Sequence, residues 1–551
     1  MAEENRSFTR MEGTAEFREY IEKQQHIKTS EAGRADRDTT PEAANDDLPE
    51  IKYTAGESAR ATTEGEQALK DRGEHIYAQG ERLVRPVRPA GQDGASIREV
   101  DTVWLRERLD CVAQWRQWDG RKGDWRVIDA PQRVADQLKA RVGEWTFPPL
   151  SGVVTAPTIR PDGSLLDTAG YDRATGLFFD PCGQTFERMP AEPTFEDARS
   201  AARELESYVD TFPFVGHGDR SACLAALVTP LIRANLPTAP AFAFTAPVRG
   251  SGKSKLVDVA SVIATGARAS VSESPNSDEE LRKMIDTALL DARPIIALDN
   301  LVRPLGSARL CQVTTQARAM VRILGRSEQP QVPVNSTVYA TGNNLRVIGD
   351  MTRRTVLCRL DPETENPEKR RFDFDPVREA ERNRAALVRA ALTLLRGYLH
   401  AGQPGAQTDY GSFEGWSAWV RSALLWVGYA DPLGPAGELE GSDPEREVAE
   451  DVIEALRRIF GPNKFSARQA QQMAEEKRRF SGDEETFDAL YQVSGESGQI
   501  KTRRLGNWLK KHHGRIVNGK RIEFLETKQG ISQWRVADMN TDSGGGRDNR
   551  E

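Results

Sequence analysis

Between Ala246 and Ser254 the chain carries glycine, serine and lysine at a spacing suited to gripping a polyphosphate. The run Ala246-Pro247-Val248-Arg249-Gly250-Ser251-Gly252-Lys253-Ser254 follows an apolar strand, Phe242-Ala243-Phe244. It precedes a helical pattern with Leu256, Val257, Val259, Ala260 and Ile263 on its apolar positions. Gly250 and Gly252, flanking Ser251, permit the tight turn that aims successive N–H groups at the β- and γ-phosphates. The helix beginning near Lys253 adds its positive end. Lys253 would reach the phosphate oxygens and Ser254 would ligate Mg²⁺, with ATP as the expected nucleotide. Pro247 stands where the strict pattern has its first glycine, while the Gly-Lys-Ser half is intact. A chance Gly-Ser loop is the bland alternative, and the flanking strand and helix weigh against it.

A phosphate loop needs a carboxylate for its metal. Pro294-Ile295-Ile296-Ala297-Leu298-Asp299-Asn300 reads as a short buried strand ending in one, so Asp299 would hold Mg²⁺ through water together with Ser254. Asn300 follows where many motors place a glutamate to polarise the attacking water. Glu279 or Glu280, on a helix opening at Ser277-Asp278, could supply that base, or could simply satisfy the helix dipole. A third strand, Thr337-Val338-Tyr339-Ala340, ends in Thr341-Gly342-Asn343-Asn344. In motors of the AAA+ class an amide at such a strand tip orients the hydrolytic water. Asn343 is favoured over Asn344, with a plain turn as the alternative. In Asp350-Met351-Thr352-Arg353-Arg354, one arginine is expected to act as a finger on a neighbouring subunit's ATP, which implies a ring. The other is expected to pair with a carboxylate.

Taken together, Gly-Ser-Gly-Lys-Ser, Leu-Asp-Asn, Arg322-Ile323-Leu324-Gly325-Arg326, Ala340-Thr341-Gly342-Asn343-Asn344 and Arg353-Arg354 resemble the helicase half of phage- and plasmid-type primase–helicases, AAA+ relatives of the superfamily-three viral helicases. The resemblance spans roughly residues 76–537. It implies a homo-hexameric, ATP-driven translocase on single-stranded or forked DNA, serving replication of a phage or mobile element. It also implies a pore-lining hairpin at about 321–334, where Arg322 and Arg326 either touch phosphates or brace the subunit interface. Relatives often carry a polymerising domain before the motor. Here an acidic segment without a zinc-ligand cluster stands in that place, so primase activity in this chain is not expected and a separate primase is a possible partner.

The C-terminal region has its own charge signature. Lys501, Arg503, Arg504, Lys510, Lys511, Arg515, Lys520 and Arg521 fall in a stretch without acids, while Leu505, Trp508, Leu509 and His512 recur at helical spacing. Val517-Asn518-Gly519-Lys520 signals a two-residue hairpin joining Arg515–Val517 to Arg521–Leu525, and a further strand is predicted over 533–536. With helices predicted at 445–460 and 466–478, this reads as a winged helix-turn-helix. Its recognition helix at 502–513 would enter a groove, and Arg503, Arg504, Lys510, Lys511, Lys520 and Arg521 would be the contacts. A solvated charged face is the alternative.

The elements that must position these groups set the fold class: α/β, with a P-loop AAA+ core flanked by a small N-terminal mixed β domain, helical segments and the C-terminal winged helix. The expected boundaries are an acidic disordered segment at 1–73 (with a short helix near 11–25), a mixed α/β domain at 74–190 and a helical segment at 191–236. The motor core follows at 237–365, helices and a linker at 366–436, the winged domain at 437–540 and a disordered tail at 541–551. Within the mixed domain a hairpin around Gly80, a helix over 102–115 and a β-meander over 153–179 are predicted. The tryptophans of 104–145, interleaved with Arg116, Arg121, Lys122 and Arg126, read as core aromatics, with base stacking as the alternative.

Composition excludes several classes. With 76 basic and 83 acidic residues, net −7, a bulk polyanion binder is ruled out, so any nucleic-acid surface is local. Cys111, Cys182, Cys223, Cys311 and Cys358 lie far apart, against a zinc module and for a reducing, cytoplasmic setting. No apolar run suits a membrane span or a signal peptide. Besides the helicase, two readings compete: an AAA+ initiator or regulator that assembles on DNA without processive unwinding, and a motor that remodels protein partners.

Overall fold

Short apolar runs between residues 241 and 359 pair into one parallel sheet. Its strands are β1 (Ala241–Ala246), β2 (Val271–Ser272), β3 (Ile295–Leu298), β4 (Thr337–Asn343) and β5 (Thr355–Arg359), in the spatial order β2-β3-β4-β1-β5. Every pairing is parallel; Phe242 lies opposite Tyr339 on one side and Val356 on the other. The computed structural model that shows this describes residues 48–88, 95–272, 277–323, 328–364, 374–436, 444–528 and 530–539, with 275 and 367–369 between them.

The strands read as unbroken apolar runs because both faces of the sheet are covered. Phe242, Phe244, Ala297, Tyr339, Val356 and Cys358 point into a core shared with the helix His217–Ile232, the helix α1 (Lys253–Thr265) and the helix Arg384–His400. Their alternates Ala241, Ala243, Ile296, Leu298, Val338, Ala340 and Leu357 point the other way. There they meet Leu281, Ile285 and Leu289 of α2 (Asp278–Leu290) and Leu310 and Val313 of the helix Ala308–Thr315. Each fully buried phenylalanine or leucine contributes about 1.5–3 kcal/mol, so the sheet is a rigid platform for the loops at its C-terminal edge.

The chain divides into two compact units. One comprises the described residues up to Glu74 together with Asp101–Thr146; the other holds His75–Val100 and everything from Phe147 on. In the first, the strand Glu50–Tyr53 pairs in parallel with Gln114–Asp119, which pairs antiparallel with Asp124–Ile128. The helices Ser58–Asp71, Thr102–Val112 and Gln132–Ala140 accompany this sheet. Three expectations change here. Residues 48–73, expected to lack order, form a strand and a helix, because Ile51, Ala61, Ala68 and Leu69 are fully buried despite their charged neighbours. The helix predicted over 102–115 stops at Val112, and Trp115 is a buried strand residue. The domain expected at 74–190 is divided between the units. The helix expected near 11–25 and the tail at 541–551 lie outside the described residues.

In the second unit the hairpin around Gly80 is present, Tyr77–Gln79 pairing with Arg82–Val87. The predicted meander over 153–179 is not purely antiparallel. Gly170–Asp172 pairs antiparallel with Leu177–Phe179, but Leu177–Phe179 runs parallel to Gly152–Val154. Within the helical stretch expected at 366–436 the chain breaks at Asn383, between Pro376–Arg382 and Arg384–His400.

At the C-terminal end, the helices Pro444–Phe460, Ala467–Ser481 and Glu484–Ser494 precede α3 (Thr502–His512). The hairpin of β6 (Lys520–Lys528) and β7 (Ile531–Asp538) follows. The helix at 484–494 adds to the two predicted before α3, and both strands are longer than predicted. Asn518 (φ 47°) and Gly519 (φ 72°) make the turn between Ile516–Val517 and β6, as that dipeptide favours. Leu505 and Leu509 seal α3 onto a core with Leu456, Phe465, Leu490 and Trp534.

Candidate functional site

The loop between β1 and α1 turns on Gly250 (φ 75°) and Gly252 (φ 97°), a left-handed conformation that favours glycine. Gly252 is the residue capping α1, and no side chain caps the helix, so its first N–H groups face the loop's concavity. A β-carbon at Gly252 would lie 2.6 Å from the ring of Phe212, so glycine is also required for space. Phe212 and Pro213 on one side, Pro376 on another and the loop itself enclose a cleft of about 290 Å³.

Lys253 is buried, and its Nζ donates to Ser251 Oγ (2.9 Å), Val248 O (3.2 Å) and Asn343 Oδ1 (2.9 Å). Burial pushes its pKa below the usual lysine value, and Asp299 nearby opposes the shift. Ser254 Oγ donates to Asp299 Oδ1 at 2.7 Å, and Thr341 Oγ1 donates to the same oxygen at 2.5 Å. The backbone N–H of Asn300, whose φ is 51°, donates to Thr341 Oγ1 at 2.9 Å. β4 lies between β1 and β3, which brings Asn343 to Lys253 and Thr341 to Asp299. Two hydrogen-bonded groups, Lys253 with Ser251 and Asn343, and Asp299 with Ser254 and Thr341, thus lie side by side, joined through the neighbours Lys253 and Ser254 and drawing on residues up to 90 apart in sequence. Thr341 and the walls Phe212, Pro213 and Pro376 carry no functional signal in the sequence. Thr341 is one polar residue among several at a strand end, and nothing local ties residue 212 to residue 252.

The remaining candidates fall in different surroundings. Arg354 is mostly buried, bonded through Nη1 to Asp350 Oδ2 (3.1 Å), to Asp350 O (2.9 Å) and to Cys311 Sγ (3.8 Å). Arg353 keeps 61% of its side chain exposed and approaches Asp350 Oδ1 only at 3.4 Å. Glu279 is exposed and pairs with Lys283 one turn on (2.7 Å), which lowers its pKa. Neither its exposure nor that direction suits a general base. The strands Arg318–Met320 and Gln331–Pro333 pair antiparallel, and Arg322 stands exposed just beyond the first, while Arg326 lies outside the described residues.

In the C-terminal region Arg503, Lys510 and Lys511 lie on the exposed side of α3. Arg504 is paired with Glu496 (3.0 Å), Lys520 with Glu454, and Arg521 with Glu523 (2.6 Å). These last three carry neutralising partners that a run free of acids does not suggest, because the carboxylates come from other segments. A cleft of about 360 Å³ at the opposite end of α1 is lined by Arg98, Arg268 and Arg293. Their guanidiniums are already matched by Asp291 and Glu381, which makes it a poor anion site.

The cysteines are all free, and no cluster of metal-ligating side chains occurs among the described residues. No helix among them is long and apolar enough to cross a membrane. No family model and no curated protein matches the chain. Among solved structures, it is similar to the A form apo structure of the NrS-1 C terminal region, at 11% identity and a TM-score of 0.38, over 86% of this chain and 98% of that one. It is also similar to the active helicase SCCmec type IV Cch, at 11% identity and a TM-score of 0.32, over 83% and 90% of the two chains.

Proposed function

We propose that this chain is an ATP-dependent motor of the P-loop AAA+ class that translocates on DNA as a ring, most simply a helicase serving replication of a phage or mobile element. The observation that carries the reading is the cluster in which Lys253 bonds Asn343 while Ser254 and Thr341 share one oxygen of Asp299. A buried lysine below uncapped helical N–H groups suits a triphosphate, and the cleft beside Phe212, Pro213 and Pro376 has room and apolar walls for a base and sugar. Ser254 and Asp299, hard oxygen donors already adjacent, fit Mg²⁺, which when bound would neutralise phosphate charge.

Lys253 would hold the γ-phosphate oxygens in the same position before and during bond cleavage, and Asn343 would orient water beside it. Arg353, exposed and loosely held, is the finger offered to a neighbouring subunit. Arg354 anchors the turn that presents it. The domain limits and the winged reading of residues 437–540 belong to this proposal, with Arg503, Lys510 and Lys511 of α3 as the DNA contacts. Strand displacement from a forked duplex, assayed with ATP beside a measurement of assembly size, tests it. ATP-dependent unwinding by a ring is expected; DNA-independent hydrolysis without displacement would favour the remodelling motor instead.

A further inference from the structure

The three-stranded sheet of the first unit has one face packed and one face open. Ile51, Trp115 and Ile128 stand opposite one another in register on the inner face, where Trp115 is 1% exposed and its indole N–H donates to Leu109 O at 3.0 Å. Gly65 on the helix Ser58–Asp71 makes room for that ring, since a β-carbon there would lie 3.2 Å from it. Alternation then sends Lys52, Arg116, Trp118, Trp125 and Val127 to the other face. On that face Trp118 is 51% exposed and Val127 60%. Trp118 and Trp125 are cross-strand partners with ring centroids 5.7 Å apart at 67°, and Lys52 Nζ lies 5.1 Å above the Trp125 ring.

Two large indoles on an open sheet face are costly unless something covers them. The rim indicates what. Lys52 and Arg116 share the face of the pair and Arg121 and Lys122 follow at the turn, against Glu50, which pairs with Arg116 at 2.6 Å, and Asp119 and Asp124 beside the turn. Arg121 and Lys122 sit on the exposed tip of the hairpin. Aromatic rings flanked by cations match a chain that alternates flat bases with phosphates, and a mostly apolar protein segment would offer no anion to Lys52, Arg121 and Lys122.

We propose that this face binds single-stranded nucleic acid, with bases stacking on Trp118 and Trp125 and phosphates meeting Lys52, Arg121 and Lys122. This is a second nucleic-acid surface, and it does not depend on the nucleotide reading of the sheet β1–β5. Binding of fluorescein-labelled (dT)20 and (rU)20 to the full chain without nucleotide, read by anisotropy, tests it and separates DNA from RNA. Trp118→Ala with Trp125→Ala should weaken binding by about tenfold or more, and Trp118→Phe with Trp125→Phe should keep most of it. Arg121→Ala with Lys122→Ala should flatten the salt dependence by about 0.7 for each phosphate no longer neutralised. In the unsubstituted chain, an iodouracil-bearing oligonucleotide should cross-link to Trp118 or Trp125, a readout immune to misfolding of the variants. Unchanged affinity in the double alanine variant, or cross-links confined to other residues, overturns the proposal.

Discussion

Arg353 and Arg354 are neighbours in sequence, yet one turn gives them opposite surroundings. Arg354 is inside, bonded to the side chain and carbonyl of Asp350, and Arg353 is largely in solvent. Arg354→Ala should therefore cost stability, about 1–3 kcal/mol in chemical denaturation for the lost bonds of a mostly buried guanidinium. Arg353→Ala should leave the melting midpoint in place and abolish turnover in assembled protein. If the two variants exchange these behaviours, the assignment is reversed. Thr341 offers a second test at this scale. Its hydroxyl connects the N–H of Asn300 to Asp299. Thr341→Val should raise the Mg²⁺ concentration needed for half-maximal ATP hydrolysis by about 10–100-fold, as for other groups that orient a metal-binding carboxylate. A titration that overlays the unsubstituted protein would deny Thr341 that role.

At the scale of elements, β5 is tied to the helix His217–Ile232 by one inaccessible carboxylate. Asp219, 0% exposed, accepts from the backbone N–H of Arg359 (2.7 Å) and from its guanidinium (3.0 Å twice). Asp219→Ala would remove these three bonds to Arg359 and should destabilise the protein by about 3–5 kcal/mol in urea denaturation. A loss below about 1 kcal/mol would mean that the pair adds nothing net. These elements are unequally legible in the sequence. The sheet β1–β5 is readable because full burial leaves apolar runs, and the two-residue turn at Asn518-Gly519 because few residues accept positive φ. The strand and helix at 50–71 are not, because alanine and glycine pack there among charges, so few large apolar residues mark the buried side. Pairing of Lys520 is equally invisible, since Glu454 belongs to a helix more than sixty residues earlier. The cluster at Lys253 is legible residue by residue, whereas its closeness to Phe212 requires the fold.

For the whole molecule, the proposed ring makes each site a joint property of two subunits. Chains carrying Lys253→Ala and chains carrying Arg353→Ala should each be inactive alone. Mixed, they should recover a fraction of the ATPase, because some interfaces then pair an intact lysine with an intact finger. Failure of every mixture to exceed the separate chains, under conditions where they co-assemble, would indicate that Arg353 acts within its own subunit or not at all.

Asn300 has a consequence for what this site can become. Its backbone has a positive φ of 51° and its N–H donates a hydrogen bond to Thr341 Oγ1, a geometry asparagine adopts more readily than most side chains. Glutamate introduced there to imitate the acid that many P-loop motors carry after this strand would have to strain or break that turn, at a cost on the order of 1 kcal/mol, before it met water. The local chain path thus steers mutational drift at position 300 toward amides and glycine and away from a new carboxylate.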